Sequence, residues 1–441
     1  MAATLTIPAP QARFSLARRL AFNTVWSVIG SIAAQGSSLV GTVILGRMLG
    51  VTTFGKLSLL LTTVLTVQTL AELGLGLTTT KVVASLRNTD AARAGRTIGF
   101  ALRSAALSGF VFAVALAFSI HRMPALRMAG AALVFAPVLL LSELLNRVQM
   151  SALAGLESFQ FSARAQLCRC ILTPLMVWIG ARNGGLTGAL VGLGCASLIV
   201  CAATYQILRL RCADLNIPIR YRGFAESAML RTSVCLWGSA LLLNGSAWLA
   251  GVLLASQPGG LTELGLFNAS EKWRAALVFL PNMLFQVTLP MLSHANACVD
   301  RRSCSRILGS ALGLSMATTG VLAAIVVFQP ALLMSIFGTG FSRGADVLSL
   351  AAWGSVAAAV WTVGSGALWA IGNPLQMLLL DALRAGLFLA LCVGLPHLAA
   401  RDLARASLVS FVVGGIVIFA ILWRRLASGS TRIETANADS L

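Results

Sequence analysis

Charge is scarce in this 441-residue sequence: 11% of residues are Asp, Glu, Lys or Arg, and only 14 are acidic. There are three His, no Asp-x-Asp and no Cys-x-x-Cys among nine cysteines. The missing acidic pair, and the lack of any loop long enough for a soluble catalytic domain, argue against a membrane glycosyltransferase or polysaccharide polymerase. Cys168 and Cys170 are too close for a zinc pair and have no His partners, so no metal or other cofactor is expected. Alternating barrel strands are also missing.

What the chain has is apolar length. It is 57% hydrophobic with a mean hydropathy of +0.86. Twelve stretches are long enough to cross a bilayer: 20–45, 55–78, 98–119, 126–146, 165–182, 185–208, 232–255, 266–292, 306–328, 345–371, 375–396 and 404–423. With no water in the hydrocarbon to satisfy the backbone, these spans must be helices. The expected fold is an all-α polytopic membrane protein of about 12 transmembrane helices. Residues 1–215 form one six-helix lobe, 225–425 a second, and 426–441 a disordered cytoplasmic tail.

The net charge of +19 follows from how Lys and Arg are distributed. With the N-terminus (Arg13, Arg18, Arg19) in the cytoplasm, alternation leaves eight of the 33 basic residues outside: Arg47, Lys56, Arg122, Arg127, Arg182, Arg343, Arg401 and Arg405. This positive-inside bias predicts a multi-pass membrane protein with both termini cytoplasmic. The basic residues line membrane rims rather than one folded face, so nucleic acid is not an expected partner.

A pattern occurs twice, 210 residues apart. Gly50-Val-Thr52-Thr-Phe-Gly55 returns as Gly260-Leu-Thr262-Glu-Leu-Gly265, and residues 41–104 and 251–314 share 11 identities in 64 positions. Membrane proteins built from two like halves are usually transporters with the substrate site between the halves, and six spans per half make the repeats parallel. Glycines four apart (Gly184, Gly188, Gly192; Gly46, Gly50; Gly309, Gly313) point to close helix packing.

Polar residues inside the spans mark the candidate path. Thr24, Ser27, Ser31, Gln35, Ser38 and Thr42 fall in one stripe along the first span, which must face protein or a wet cavity. The second span carries Thr62, Thr66, Thr69, Gln68 and the intramembrane carboxylate Glu72, a candidate ion-coupling residue or a protonated packing group. At a separation of 210, Ser27 corresponds to Trp237, Ala34 to Asn244 and Ser38 to Trp248, three residues on one helical face suited to sugar rings or to helix packing. In the same register Thr62 meets Lys272 and Glu72 meets Asn282. Lys272, Asn282 and Gln286 share a face, with Glu271 beside them and Arg274 in reach of Glu271 at i+3. Lys272 and Arg274 read either as snorkelling side chains or as a cationic wall for an anionic substrate. Glu143 and Arg147 read as an i,i+4 pair, and Asp381 and Arg384, three apart, as mutually neutralising.

The chain resembles bacterial polysaccharide-transport proteins, the lipid-linked oligosaccharide flippases of the multidrug/oligosaccharidyl-lipid/polysaccharide exporter superfamily. Asn23, Gly46-Arg47-Met48-Leu49-Gly50, Phe54-Gly55 and Leu73-Gly74-Leu75 carry the resemblance at the start. Leu153–Phe159, Gly265–Ala269, Leu289–Ser293, Phe337-Gly338 with Phe341, and Ala370–Asn373 follow in order. The resemblance implies two six-helix lobes in a V around a central cavity formed by helices 1, 2, 7 and 8. It also implies alternating-access transfer of an undecaprenyl-diphosphate-linked glycan, alongside membrane lipid, a polysaccharide polymerase and chain-length or export machinery as partners. The protein is then no enzyme, and its place is the bacterial inner membrane. Lys272 and Arg274, with Arg47 and Arg103, would hold the diphosphate or acidic sugars, while Glu72 and Asp381 are the ion-coupling candidates. The family's frequent Asp in helix 7 is replaced near Ser246-Ala247-Trp248, which leaves cation coupling there in doubt. The competing reading is a multidrug cation antiporter on the same scaffold, which needs acidic cavity residues.

Overall fold

The computed structural model describes residues 10–122, 131–219, 230–283, 301–370, 374–395 and 397–427. The side chains of residues 10–24, of Ser27 and of a few helix ends lie outside that description, as do Gln286 and the whole 428–441 tail. The described elements are helical: α1 Pro10–Glu72, α2 Leu75–Leu86, α3 Ala91–Arg122, α4 Ala131–Gly155, α5 Phe159–Asp214, α6 Leu230–Ala255, α7 Gly260–Leu277, α8 Arg301–Phe328, α9 Pro330–Ser335, α10 Ala345–Ala370, α11 Pro374–Val393 and α12 Ala400–Ala427. A short 3-10 turn, Thr339–Gly344, precedes α10.

Nine helices among the described residues are long and apolar enough to cross a membrane, and two of these are far too long for one crossing. A straight 45-residue helix would run about 68 Å, more than twice the roughly 30 Å of hydrocarbon. Glycine breaks both. Gly50 (φ 72°, ψ 170°) separates two limbs of α1, and Gly184-Gly185, with Gly185 at φ 54°, separates two limbs of α5. Side chains with a Cβ rarely adopt either positive φ. In α5 the limbs then lie against each other: a Cβ on Gly180 would sit 2.1 Å from the Gly188 carbonyl oxygen, and one on Gly188 only 1.9 Å from that of Gly180. Gly184 thus serves the turn, while Gly188 and Gly192 serve the packing.

Three expectations change. The second span does not reach residue 78, because Leu73 and Gly74 adopt φ of 48° and 73° and a separate α2 begins at Leu75. The span expected at 266–292 is interrupted: α7 stops at Leu277 and helix resumes at 279–283. Pro281 explains this, since it has no N–H to give to the Leu277 carbonyl one turn back. Gly309 and Gly313 have nothing within 4 Å of a built Cβ, because that face of α8 is exposed rather than packed.

The cores show how the halves are arranged. One apolar cluster spans both halves, with Leu45, Phe54 and Leu57 packed together with Leu264, Leu266, Phe337 and Phe341. A second cluster draws only on residues 71–217, with Ile98, Leu144 and Leu208 at its centre. A third draws only on residues 278–422, including Leu308, Leu368 and Ile418. The two halves therefore share one core at the Gly50 end of the bundle and keep separate cores at the other end.

The repeated motif forms the joint. A Cβ on Gly55 would lie 1.8 Å from the Leu261 oxygen, and one on Gly265 would lie 2.3 Å from the Val51 oxygen. Residues 51 and 261 are themselves 210 apart. Between them Thr52 and Thr262, again 210 apart, join hydroxyl to hydroxyl at 2.8 Å. Each half thus offers the same patch to the other, as in a two-fold dimer interface.

Candidate functional site

Polar contacts between the halves extend from this joint along two seams. In the first, the second limb of α1 meets α6. Trp248 Nε1 donates to Thr63 Oγ1 at 2.9 Å, Asn244 Nδ2 to Thr69 Oγ1 at 3.0 Å and Trp237 Nε1 to the Thr69 carbonyl at 2.7 Å. The Trp237, Asn244 and Trp248 face is therefore a hydrogen-bonded interface, the packing alternative for these residues. A buried indole N–H needs an acceptor, and the threonines of α1 supply it.

In the second seam, the first limb of α1 meets α7, and the polar contacts are sparser. Lys272 Nζ donates to Ser38 Oγ at 3.3 Å. This contact nearly repeats Trp248–Thr63 in the 210-residue register, with an ammonium in place of an indole. Further along, Ser31 and Gln35 are half-buried with no hydrogen bond to a described residue, and Asn282 is exposed beyond the Pro281 break. One seam is zipped by indoles and the other leaves hydroxyl, amide and ammonium groups available.

The four cations grouped by sequence do not converge. Arg274 lies two residues from Lys272, or 200° around the helix, so it points away from the seam. Its guanidinium pairs with Glu271 at 2.6 Å and sits 5.2 Å from the Phe411 ring of α12, inside the second half. Arg384 of α11 stacks on the same Phe411 ring at 4.5 Å and on Trp361 at 5.2 Å. Arg47 reaches the other half at the Gly50 end, where its Nε donates to the Ile336 carbonyl at 2.7 Å. Gly46 beside it meets Phe337, whose ring contacts Trp273 and Phe341 in an aromatic cluster that includes Phe54. Arg103 lies elsewhere, lining a cleft among α3, α4 and α5.

The acids are placed with cations. Glu72 pairs with Arg147 at 3.2 Å, and Glu143 pairs with Arg169 at 2.6 Å rather than with Arg147. The i,i+4 reading fails because both Arg side chains cross to neighbouring helices. Asp381 is buried, has Oδ1 without a hydrogen-bond partner and makes no ion pair with Arg384 among the described residues. Ser27 and Gln286 cannot be placed, since Ser27's side chain and all of Gln286 lie outside the described residues. Thr63, Arg147 and Arg169 form part of the site without having been marked for it by the sequence, whereas Thr69 is one of the polar residues the second span displays.

The Glu72–Arg147 pair gives a measurable coupling. Arg147→Gln is expected to lower the melting temperature in detergent more than Arg147→Gln combined with Glu72→Gln. The single change strands a carboxylate that is mostly buried, and the double change does not. Additive losses would show the two side chains to be uncoupled.

Two helical halves, joined through a repeated patch at one end and built on separate cores at the other, define a two-lobed helical membrane fold. The polysaccharide biosynthesis protein family matches residues 20–296, and the chain belongs to that family. No curated protein matches it. Among solved structures it is similar to a multidrug resistance MATE family transporter of the MOP superfamily in its inward-facing conformation (TM-score 0.74, 16% identity, 91% of this chain and 98% of that one). The outward-facing conformation of a multidrug resistance MATE family transporter of the same superfamily gives a TM-score of 0.70 at 16% identity, covering 92% and 96%. A MOP superfamily transporter from Pyrococcus furiosus, whose binding pocket is described as having reversed polarity, gives 0.68 at 17% identity, covering 93% and 96%. Every one of these identities is low, so the likeness is one of fold.

Proposed function

We propose that this protein is a flippase that moves undecaprenyl-diphosphate-linked oligosaccharide units across the bacterial inner membrane for surface polysaccharide assembly. The observation that carries the reading is Lys272. It is an intramembrane ammonium joining the two halves, and its hydrogen bond goes to a hydroxyl rather than to a carboxylate. An anionic diphosphate can compete for such a cation, and Ser31, Gln35 and Asn282 then offer hydrogen bonds to a glycan. The positive-inside distribution puts the separate-core end in the cytoplasm, so this geometry is the one that admits a substrate from the inner leaflet.

A multidrug cation antiporter is the second reading, favoured by the MATE-like fold. It requires unpaired acid between the halves, whereas Glu72, Glu143 and Glu271 are each held by an arginine and the unpaired Asp381 is buried in α11, which packs on α6 inside the second half. Deleting the gene separates the two. The expected result is loss of surface glycan with lipid-linked precursor accumulating on the cytoplasmic face. Unchanged glycan together with new sensitivity to cationic drugs would establish efflux instead.

A further inference from the structure

The cleft that holds Arg103 is distinct from the inter-lobe seams. It has a volume of about 660 Å³, within the range of ligand pockets, and its walls come from α3, α4 and the second limb of α5. The second half packs on α1 and α2 instead, so this cleft is on the outer flank of the first half. Leu107 and Leu198 beside it are exposed, as expected of a surface that meets lipid chains.

The exposed lining is almost wholly apolar, with Leu102, Ala106, Leu141 and Leu145 prominent, and polar side chains stand around one end. That end carries Arg103, exposed and with no ion pair or hydrogen bond to a described residue, together with Tyr205. Gln149 forms the floor there. It is 3% exposed, its Nε2 contacts Cys201 Sγ at 3.5 Å and its Oε1 has no partner. Contact of Gly109 with Leu141 sets α3 and α4 antiparallel in a register that puts Arg103 level with Arg147 and Gln149. The polar end is thus the basic end of the bundle, the one the charge distribution assigns to the cytoplasm.

We infer that this cleft binds an anionic phospholipid of the cytoplasmic leaflet, with one acyl chain among α3, α4 and α5 and its phosphate on Arg103. Charge complementarity supports the occupant, because basic pockets between membrane helices at the cytoplasmic side attract anionic headgroups. Length supports it too. The cleft follows α4 from Val138 to Gln149, about 16 Å at 1.5 Å per residue, which is half of a roughly 30 Å hydrocarbon core. One leaflet's acyl chain fits that depth, whereas an eleven-unit prenyl chain would hang out of it. The site is therefore a lipid site separate from the proposed transport path.

The test uses the full-length protein in mixed micelles, with phosphatidylglycerol and phosphatidylcholine of identical chains as probes and native mass spectrometry as the readout. Wild type is expected to retain phosphatidylglycerol at least tenfold more than phosphatidylcholine. Arg103→Gln is expected to abolish that preference, and Arg103→Lys to restore much of it. Ala106→Phe, which fills the apolar wall, is expected to reduce retention of both lipids. Melting temperatures in phosphatidylcholine alone check that each variant folds. Equal retention of the two lipids by wild type, or an undiminished preference in Arg103→Gln, would overturn the proposal. Displacement of phosphatidylglycerol by stoichiometric undecaprenyl phosphate would also overturn it, in favour of the carrier lipid as occupant.

Discussion

Replacing Lys272 with Ala is expected to abolish glycan export while leaving the protein at normal abundance in the membrane. The side chain reaches across a seam to Ser38 without anchoring a carboxylate, so its loss strands no buried charge. Under the proposed function, what disappears is a charge-assisted contact to the anionic substrate, worth about 1.5–3 kcal/mol or a roughly 10- to 150-fold loss of affinity. Lys272→Arg should keep partial activity and Lys272→Met should not. Arg274→Ala should behave differently. It strands Glu271 in the second half and removes a cation from the Phe411 ring, so the expected defect is lower stability and abundance. Export assays paired with membrane immunoblots distinguish the two. Normal export from Lys272→Ala would remove the cationic-seam mechanism.

Enlarging Gly55 or Gly265 is expected to block transport by a different route. Even a methyl group at Gly55 would stand 1.8 Å from the Leu261 oxygen, so the two helices must part by more than about 1 Å to regain van der Waals distance. Overpacking of this kind costs about 1–3 kcal/mol, which shifts a two-state equilibrium by roughly 5- to 150-fold. Gly55→Leu, with a longer side chain, should hold the Gly50 end apart. Thr52→Cys with Thr262→Cys reports it, because the native hydroxyls are 2.8 Å apart and the thiols would oxidise readily. In a background without the native cysteines, cross-linking should be rapid with Gly55 and slow with Gly55→Leu. Equal cross-linking rates would show that the glycine contact does not govern closure.

The joint was the most legible part of the fold. The repeat read from 11 identities contains the glycines and threonines that meet, although their meeting across the two halves is visible only in the structure. Partners across helices were not legible. The i,i+4 rule assigned Arg147 to Glu143, yet both residues pair with side chains contributed by other segments, 75 and 26 residues away. Sequence spacing describes one helix face and is silent about the face opposite. The misgrouping of Arg274 with Lys272 was avoidable, since 200° of helical rotation already separates them. Pro281 likewise announced the end of α7, but an apolar run on both sides of it masked the break.

That polar helix has a consequence for how the protein is made. Gly260–Leu277 holds Glu263, Asn268, Glu271, Lys272 and Arg274, and it is not among the helices apolar enough to cross a membrane by themselves. Released alone from the translocon, it would face a steep penalty for entering lipid, because each central charge adds about 2.5–3.5 kcal/mol. Glu271 and Arg274 neutralise each other within the helix, but Glu263 and Lys272 find their partners only at Ala400 and Ser38, and the Gly265 face docks on Val51 of α1, a segment synthesised some 200 residues earlier. Insertion of α7 therefore has to wait for the first half to be in place. The segment that carries the proposed substrate cation is the one whose biogenesis depends on the rest.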